Sequence, residues 1–329
     1  MNKKEFENIY AFHPGYYIND LINDMEITQD EFAKRLNISS KNLSDLINGK
    51  ASISDKIAKN LSLMFGTSVE TWVNLQKKYD EKVIEIKKLQ AQRDEEKDLS
   101  LIDYSFFEKL GVVEPSKDKA KQVVELLRYL SVSSFSVLKK RDFLVQFRQT
   151  NNIDEKTILN ANAWVQTIIN FGREIKTKPY YAKKLKGYLP QIREMTMKSP
   201  SDFLPQLHQI LSECGIAFVL IPSLKKSGVY GATKWLGKNK AVVGITNRGK
   251  YADIFWFSFL HELGHVFQRK ITKIIVDFEA DSYNEAFENE ANQFAQDLLI
   301  PPDEYNIFSK EKTFSESKVR DFANSVRIH

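Results

Sequence analysis

The chain has 329 residues, 42% of them hydrophobic and 28% charged, with a formal net charge of +5. That length makes two or three domains the expectation, and the mild charge permits nucleic-acid binding only through a local patch. The single cysteine, Cys214, excludes an internal disulfide and a thiolate metal cage. Apolar runs such as Ile254-Phe255-Trp256-Phe257 are too short to span a bilayer. Met1-Asn2-Lys3-Lys4-Glu5-Phe6 lacks an apolar signal core, so a cytoplasmic protein with no membrane partner is expected.

The first segment, to about Leu75, reads as short helices punctuated by polar caps. Thr28 precedes Glu31, Ser52 precedes Asp55 and Thr67 precedes Glu70, each by three residues. In such a box the hydroxyl caps the amide three residues on while the acid reaches back. Gly49 and Gly66 supply left-handed residues that end helices. One helix is expected over Gln29 to Leu36 and a second over Ser40 to Asn48, with Asn37-Ile38-Ser39 as the turn. Phe32, Ala33 and Leu36 face the core from the first; Leu43, Leu46 and Ile47 face it from the second. Ser39, Ser40, Lys41, Asn42 and Ser44 then lie near the exposed start of the second helix. In a helix-turn-helix that end enters the major groove of DNA. There Asn can read adenine and Lys can read guanine or phosphate.

Residues 76–98 form a charge-rich stretch. Trp72, Tyr79, Val83 and Ile86 recur at three- to four-residue intervals, which predicts one amphipathic helix. Such a helix fits either a dimer seam or a solvated helix lying on the body of the protein. From Tyr104 to Gln191, helical patterns alternate with breaks at Pro115, Gly172 and Pro190. No motif there carries chemistry, and a helical scaffold is expected.

From Ile192 onward the pattern changes. Ile216 to Ile221, Val229 to Trp235 and Ala241 to Thr246 read as strands. Ile254 to Phe267 is apolar on most sides and predicts a buried helix. At its centre stands His261-Glu262-Leu263-Gly264-His265. Four-residue spacing places both imidazoles on one helical face, with Glu262 within reach of a water on a shared zinc ion. Burying two imidazoles and a carboxylate costs free energy unless something satisfies them, and a bound metal does so. His13, His208 and His329 are poorly placed as a third ligand, which favours a carboxylate. A second helix, stopped by Pro301 and Pro302, offers Glu285, Glu288 and Glu290. Glu288 shares a face with Asn292, Ala295 and Leu299, whereas Glu290 falls with Phe294 and Asp297.

Two resemblances emerge from these residues. Residues 13–79 resemble the phage-repressor (XRE) type of helix-turn-helix, and within it the HigA-type antitoxins. The match rests on His13-Pro14-Gly15 and on Leu46-Ile47-Asn48-Gly49-Lys50. It implies binding to double-stranded operator DNA as a homodimer, often at the protein's own promoter. Residues from about Ile216 to Pro302 resemble the ImmA/IrrE metallopeptidases, whose helix layout is similar to that of gluzincins. That match rests on the HExxH helix and on Glu288-Asn289-Glu290-Ala291-Asn292-Gln293-Phe294-Ala295 running into Leu298-Leu299-Ile300-Pro301. The resemblance implies Zn2+ held by His261, His265 and Glu288, with Glu290 as the fallback ligand and Asn292 orienting a ligand. It makes Glu262 the catalytic acid-base. Tyr230, Tyr251 and Tyr283 are candidate oxyanion donors, and the strand Ala241 to Thr246 is a candidate partner for an extended substrate.

The fold expected is mainly α with a small α+β peptidase domain. An all-α five-helix helix-turn-helix domain occupies 1–75, a charged helical linker 76–103 and a helical middle region 104–191. A gluzincin-like zinc metallopeptidase domain, with a short antiparallel sheet and the HExxH helix, occupies 192–329. The expected function is a DNA-binding regulator with zinc-dependent endopeptidase activity that cleaves a repressor or other protein. The alternative is a HigA-like antitoxin that binds DNA and a toxin partner, its peptidase domain acting without cleavage.

Overall fold

The computed structural model describes residues 3–141, 143, 154–247, 251–269, 280–311 and 313–329, with the side chains of 280–285 outside the description. The chain divides into two compact units, Met1–Lys97 and Asp98–His329. No helix among the described residues is long and apolar enough to cross a membrane.

The first unit opens with an antiparallel hairpin, β1 (Lys3–Phe6) and β2 (Ile9–Phe12). This corrects the all-α expectation. β1 is mostly charged (Lys-Lys-Glu-Phe) and β2 apolar (Ile-Tyr-Ala-Phe); Ala11 is buried, and the Lys3 ammonium lies 4.1 Å from the Tyr10 ring centroid. Five helices follow: α1 (Gly15–Asp24), α2 (Gln29–Arg35), α3 (Ser40–Ile47), α4 (Asp55–Phe65) and α5 (Val69–Leu99). Their core joins Ile18, Ile22, Phe32, Leu36, Leu43, Leu46 and Leu61.

Local chemistry explains these boundaries. Thr28 Oγ1 accepts from the Glu31 amide at 3.2 Å, as its box predicts. The next two caps each differ from the expected one. Ser54, not Ser52, caps α4 through the Ile57 amide. Ser68 accepts from the Thr71 amide, leaving Thr67 Oγ1 to take the Trp72 indole N–H at 2.9 Å. Neighbouring hydroxyls compete for a cap, and tertiary partners decide. The expected boundary at Leu75 falls inside α5, which runs unbroken through the charged stretch. Gly15 is required by sterics: a β-carbon there would stand 2.1 Å from the Leu46 carbonyl oxygen.

The second unit begins with α6 (Tyr104–Lys109), α7 (Lys119–Leu130), a 3-10 turn (Phe135–Lys139), α8 (Glu155–Glu174) and α9 (Ala182–Glu194). A 3-10 turn (Met195–Met197) and α10 (Pro200–Glu213) lead into β3 (Ile216–Ile221), β4 (Gly231–Trp235) and β5 (Ala241–Thr246). The unit closes with α11 (Ala252–Gln268), α12 (Ala280–Leu299), α13 (Pro302–Phe308) and α14 (Glu316–Ser325). Gly172 and Pro190, expected as breaks, lie inside α8 and α9. Buried Leu185 and Ile192 anchor α9 on either side of its proline.

The sheet order is β3-β5-β4, with β3 parallel and β4 antiparallel to β5. The sheet is therefore mixed, and β5 lies at its centre. Ala217, Val219, Ile221 and Val242 pack with Leu159, Trp164 and Ile168 of α8. Ile216, Phe218, Val243 and Ile245 pack with Phe259, Leu260 and Leu263 of α11. Helices on both faces explain why β3 and β5 read as continuous apolar runs. The helical middle region is thus one layer of the same unit.

α8 lies so near β5 that two of the contacts need a glycine on one side. A β-carbon on Gly244 would come 1.8 Å from Ile168 Cδ1, and one on Gly172 would come 2.5 Å from the Val242 methyls. Gly244→Ala should therefore destabilise this unit by about 1–3 kcal/mol. A thermal midpoint lowered by several degrees is expected; an unchanged one would show that α8 can lift off the sheet.

His13 is only 2% exposed, and its Nδ1 accepts from the Gly15 amide at 3.0 Å. Burial pushes its pKa down, and the nearby Asp80 charge opposes this only in part. The folded ring stays neutral while the unfolded one takes a proton near pH ~6.5. Stability is complete above that value and falls as pH drops through it. Amide protection in α1–α4, corrected for intrinsic exchange, should decline below pH ~6.5 in the wild type and less so in His13→Gln. A pH response identical in both would refute this role.

Candidate metal centre

α11 carries His261 and His265 one turn apart, on one face. Their Nε2 atoms stand 3.1 Å from each other, with the rings perpendicular. α12 brings in Glu288, whose Oε2 lies 3.4 Å from His261 Nε2 and whose Oε1 lies 3.3 Å from His265 Nε2. The approach depends on Gly264. A β-carbon there would meet Ala291 Cα at 3.1 Å and the Phe294 ring at 3.3 Å, so any side chain would push the helices apart.

The far nitrogens are tied to oxygens. His261 Nδ1 meets Asn292 Oδ1 at 2.9 Å, and His265 Nδ1 meets Gln268 Oε1 at 2.8 Å. The Gln268 amide cannot face the other way, because its Nε2 donates to the Phe287 carbonyl at 2.8 Å and to Glu290 Oε2 at 3.1 Å. An oxygen partner requires each Nδ1 to carry the proton in the neutral ring, which leaves a lone pair on each Nε2. Two lone pairs and a carboxylate then converge, an arrangement that repels itself unless positive charge lies among them.

Protonated imidazoles are one source of such positive charge: an Nε2–H then donates to Glu288, and the titration of the cluster shifts accordingly. Hydrogen bonds from His261 and His265 hold the Glu288 carboxyl far below the usual carboxylate range. Burial works against a charged His265, yet the Glu288 hydrogen bond, the Glu262 charge and Gln268 together push its pKa up. The spacing also fits a small cation. Ligand bonds of about 2.0–2.1 Å in a tetrahedron imply donor separations of roughly 3.3–3.4 Å; the two Nε2 atoms stand 3.1 Å apart and each is 3.3–3.4 Å from a different oxygen of Glu288, with one donor per residue all within 4.8 Å. These three residues could hold a zinc ion.

Glu262 is 8% exposed. Burial raises its pKa, and the neighbouring His265 and His261 oppose this. Gly231 of β4 makes room for it: a β-carbon at 231 would lie 2.7 Å from Glu262 Cγ. Thr233 Oγ1 donates to the Glu262 carbonyl at 2.9 Å and ties β4 to α11.

The other candidate residues fall elsewhere. Glu290 is drawn to Gln268, away from the imidazoles. The side chains of Tyr283 and Glu285 lie outside the described residues. His208 packs on Phe218, and Tyr251 is 67% exposed. Central β5 has both edges paired and cannot add a substrate strand, which corrects that expectation. Gln268 is a site residue not expected from the sequence, although its i+3 spacing from His265 is a usable signal.

In α3, Ser39 Oγ caps the Asn42 amide, Ser40 Oγ bonds Asp30, and Ser44 Oγ accepts from Asn48. Lys41 and Asn42 are exposed and, among the described residues, their side chains make no hydrogen bond. Lys34 and Arg35 are paired with Asp30 and Glu31 on their own helix.

Gln268→Ala should weaken zinc affinity by about 10–100-fold, the usual cost of removing the partner of a ligating imidazole. Competition against a chelator of known affinity measures it, and unchanged affinity would show that His265 needs no such support.

Comparison with known proteins places these features. Residues 18–72 match the helix-turn-helix family, and residues 218–324 match the IrrE N-terminal-like domain. The chain is 30% identical over 80 residues to YddM of Escherichia coli K12, an uncharacterized HTH-type transcriptional regulator; the match covers 23% of this chain and 85% of that protein. It is 44% identical over 69 residues to virulence-associated protein A′ of Dichelobacter nodosus, covering 21% of this chain and 60% of that one. Two solved structures are similar over about a quarter of the chain. One is a HigA-family addiction module antidote protein from Coxiella burnetii, at 31% identity, covering 26% of this chain and 94% of that one, with a TM-score of 0.24. The other is a putative antidote protein of a plasmid maintenance system from Nostoc punctiforme, at 32% identity, covering 27% and 94%, with a TM-score of 0.24.

Proposed function

We propose that this chain, which belongs to the helix-turn-helix regulators through residues 18–72 and carries an IrrE N-terminal-like domain over 218–324, is a DNA-binding regulator with zinc-dependent endopeptidase activity. The observation that carries the reading is the convergence of two imidazole lone pairs and a carboxylate beside a second, buried carboxylate.

His261, His265 and Glu288 would hold the zinc, and Asn292 and Gln268 fix the two ring orientations. When bound, zinc supplies a Lewis acid that polarises a carbonyl and acidifies water. Glu262 takes the proton of the attacking water at its carboxylate and hands it to the leaving amine. Its burial beside the two imidazoles places the carboxylate within the cluster where that proton is released. β4 is the sheet's edge strand beside Glu262. Its outer edge, unpaired among the described residues, can pair with the extended backbone of a protein substrate such as a repressor. At the other end of the chain, Lys41 and Asn42 are the side chains of α3 left to read operator DNA, with Ser39, Ser40 and Ser44 shaping the helix start. A homodimer on a two-fold operator is the matching assembly.

A second reading is an antitoxin-like repressor whose peptidase domain binds a partner without cutting. Glu262 weighs against it, since a purely structural site does not need a buried carboxylate next to its ligands.

Elemental analysis of the purified full chain tests the centre. About one zinc per chain is expected, lost in His265→Ala and in Glu288→Ala. Glu262→Gln should retain zinc and lose cleavage of a partner protein; full activity in that variant would end the mechanism. Asn42→Ala should weaken binding to the protein's own promoter DNA by about 1–3 kcal/mol. Equal affinity of that variant for promoter and unrelated duplexes, with the wild type equally indifferent, would remove the operator reading.

A further inference from the structure

A cavity of about 600 Å3 lies in the second unit, unused by the chemistry proposed above. Its wall is mostly carbon, with Ile254, Trp256 and Phe257 of α11 joined by Leu299, Ile300 and Ile328. The volume falls within the roughly 300–1,000 Å3 range of ligand pockets.

The cavity stands one helical turn from the metal centre. Phe257 and Ser258 precede His261 and Glu262 by four residues, about 6 Å along the axis. Phe257 also stacks on the His261 ring, with centroids 6.4 Å apart. Tyr230, which also lines the cavity, leads directly into Gly231, the residue packed on Glu262. The α12 and C-terminal walls are held in place from behind: Arg193 of α9 donates to the carbonyls of Leu299 and Val326. Thr196 contributes a wall residue that is 3% exposed and whose hydroxyl has no partner among the described residues. An apolar cavity with a clamped wall and an unsatisfied hydroxyl is suited to an occupant brought from outside. Asp253 at its lining disfavours an acidic one.

We propose that this cavity is the specificity pocket of the site. It takes one large apolar side chain, aromatic or long aliphatic, from the residue adjoining the cleaved bond of a peptide substrate. The inference rests on the peptidase reading, but side-chain binding can be measured without cleavage.

The test uses the full-length, zinc-loaded chain and blocked pentapeptides that differ only in the central residue: Phe, Leu, Ala or Glu. Binding is measured by calorimetry on Glu262→Gln, and cleavage on the wild type. The Phe and Leu peptides should bind at least about 10-fold more tightly than the Ala peptide, the gain expected for burying such a side chain. The Glu peptide should bind no better than the Ala peptide. Ala252→Trp and, independently, Ser258→Leu fill the cavity from the α11 side. Each should abolish the difference between Phe and Ala while leaving zinc content and circular dichroism unchanged. Equal binding of Phe and Ala peptides, or a preference unchanged in both filled variants, would overturn the pocket. Phe-selective binding without wild-type cleavage would support the pocket and overturn the peptidase reading. Cleavage indifferent to the central residue would do the reverse.

Discussion

The metal centre depends on one close approach between two helices. α11 and α12 meet where Gly264 faces Ala291, and the contact leaves no room for a β-carbon without displacement. Glu288 lies three residues before Ala291, so its position is set by how near the helices come. Two imidazole nitrogens 3.1 Å apart, each 3.3–3.4 Å from its nearer Glu288 oxygen, tolerate little error, since sites of this kind work within about 0.5 Å of their productive geometry. The small residues at 264 and 291 therefore act on the site as directly as the ligands do, though neither has a polar atom in its side chain.

The same crossing separates two glutamates by environment. Glu262 is enclosed by β4 and by its own helix, and burial drives its carboxyl towards holding a proton. Glu288 is half-buried between two imidazoles, which hold its carboxyl far towards the ionised form. One residue type thus has two dispositions within a single cluster. Such a divergence commonly marks a division of labour between a proton carrier and a fixed charge. Here it follows from a glycine on the sheet edge and from the spacing of two histidines.

Much of this arrangement is legible in the sequence, because it is local. The i,i+4 histidine pair needs only helical periodicity. So does the placing of Glu288 and Glu290 on different faces, which is how the structure distributes them between the imidazoles and Gln268. The helix-turn-helix caps are half legible: Thr28 is unambiguous, whereas Ser52 and Ser54 are both plausible and only packing selects the latter. Contacts distant in sequence are harder to read. The parallel pairing of β3 with β5 and the central place of β5 come from α8 and α11 covering both faces. The hairpin of β1 and β2 has only four residues in each strand and no alternation in either, so it does not stand out. Gln268 is inconspicuous because its two fixing partners lie on another helix.

The contact between α8 and the sheet has a consequence for how this sequence can drift. Gly244 fits against Ile168, and Gly172 fits against Val242, with no spare space at either point. Neither member of a pair can enlarge alone without opening the layer that supports β5. A substitution that adds a methyl at 244 becomes tolerable only after position 168 has lost volume, and the same holds for 172 and 242. Among relatives sharing this unit, the two pairs should change jointly or not at all. They would form a covariation signal far from any polar chemistry that nonetheless reports on the strand beside the metal-binding helix.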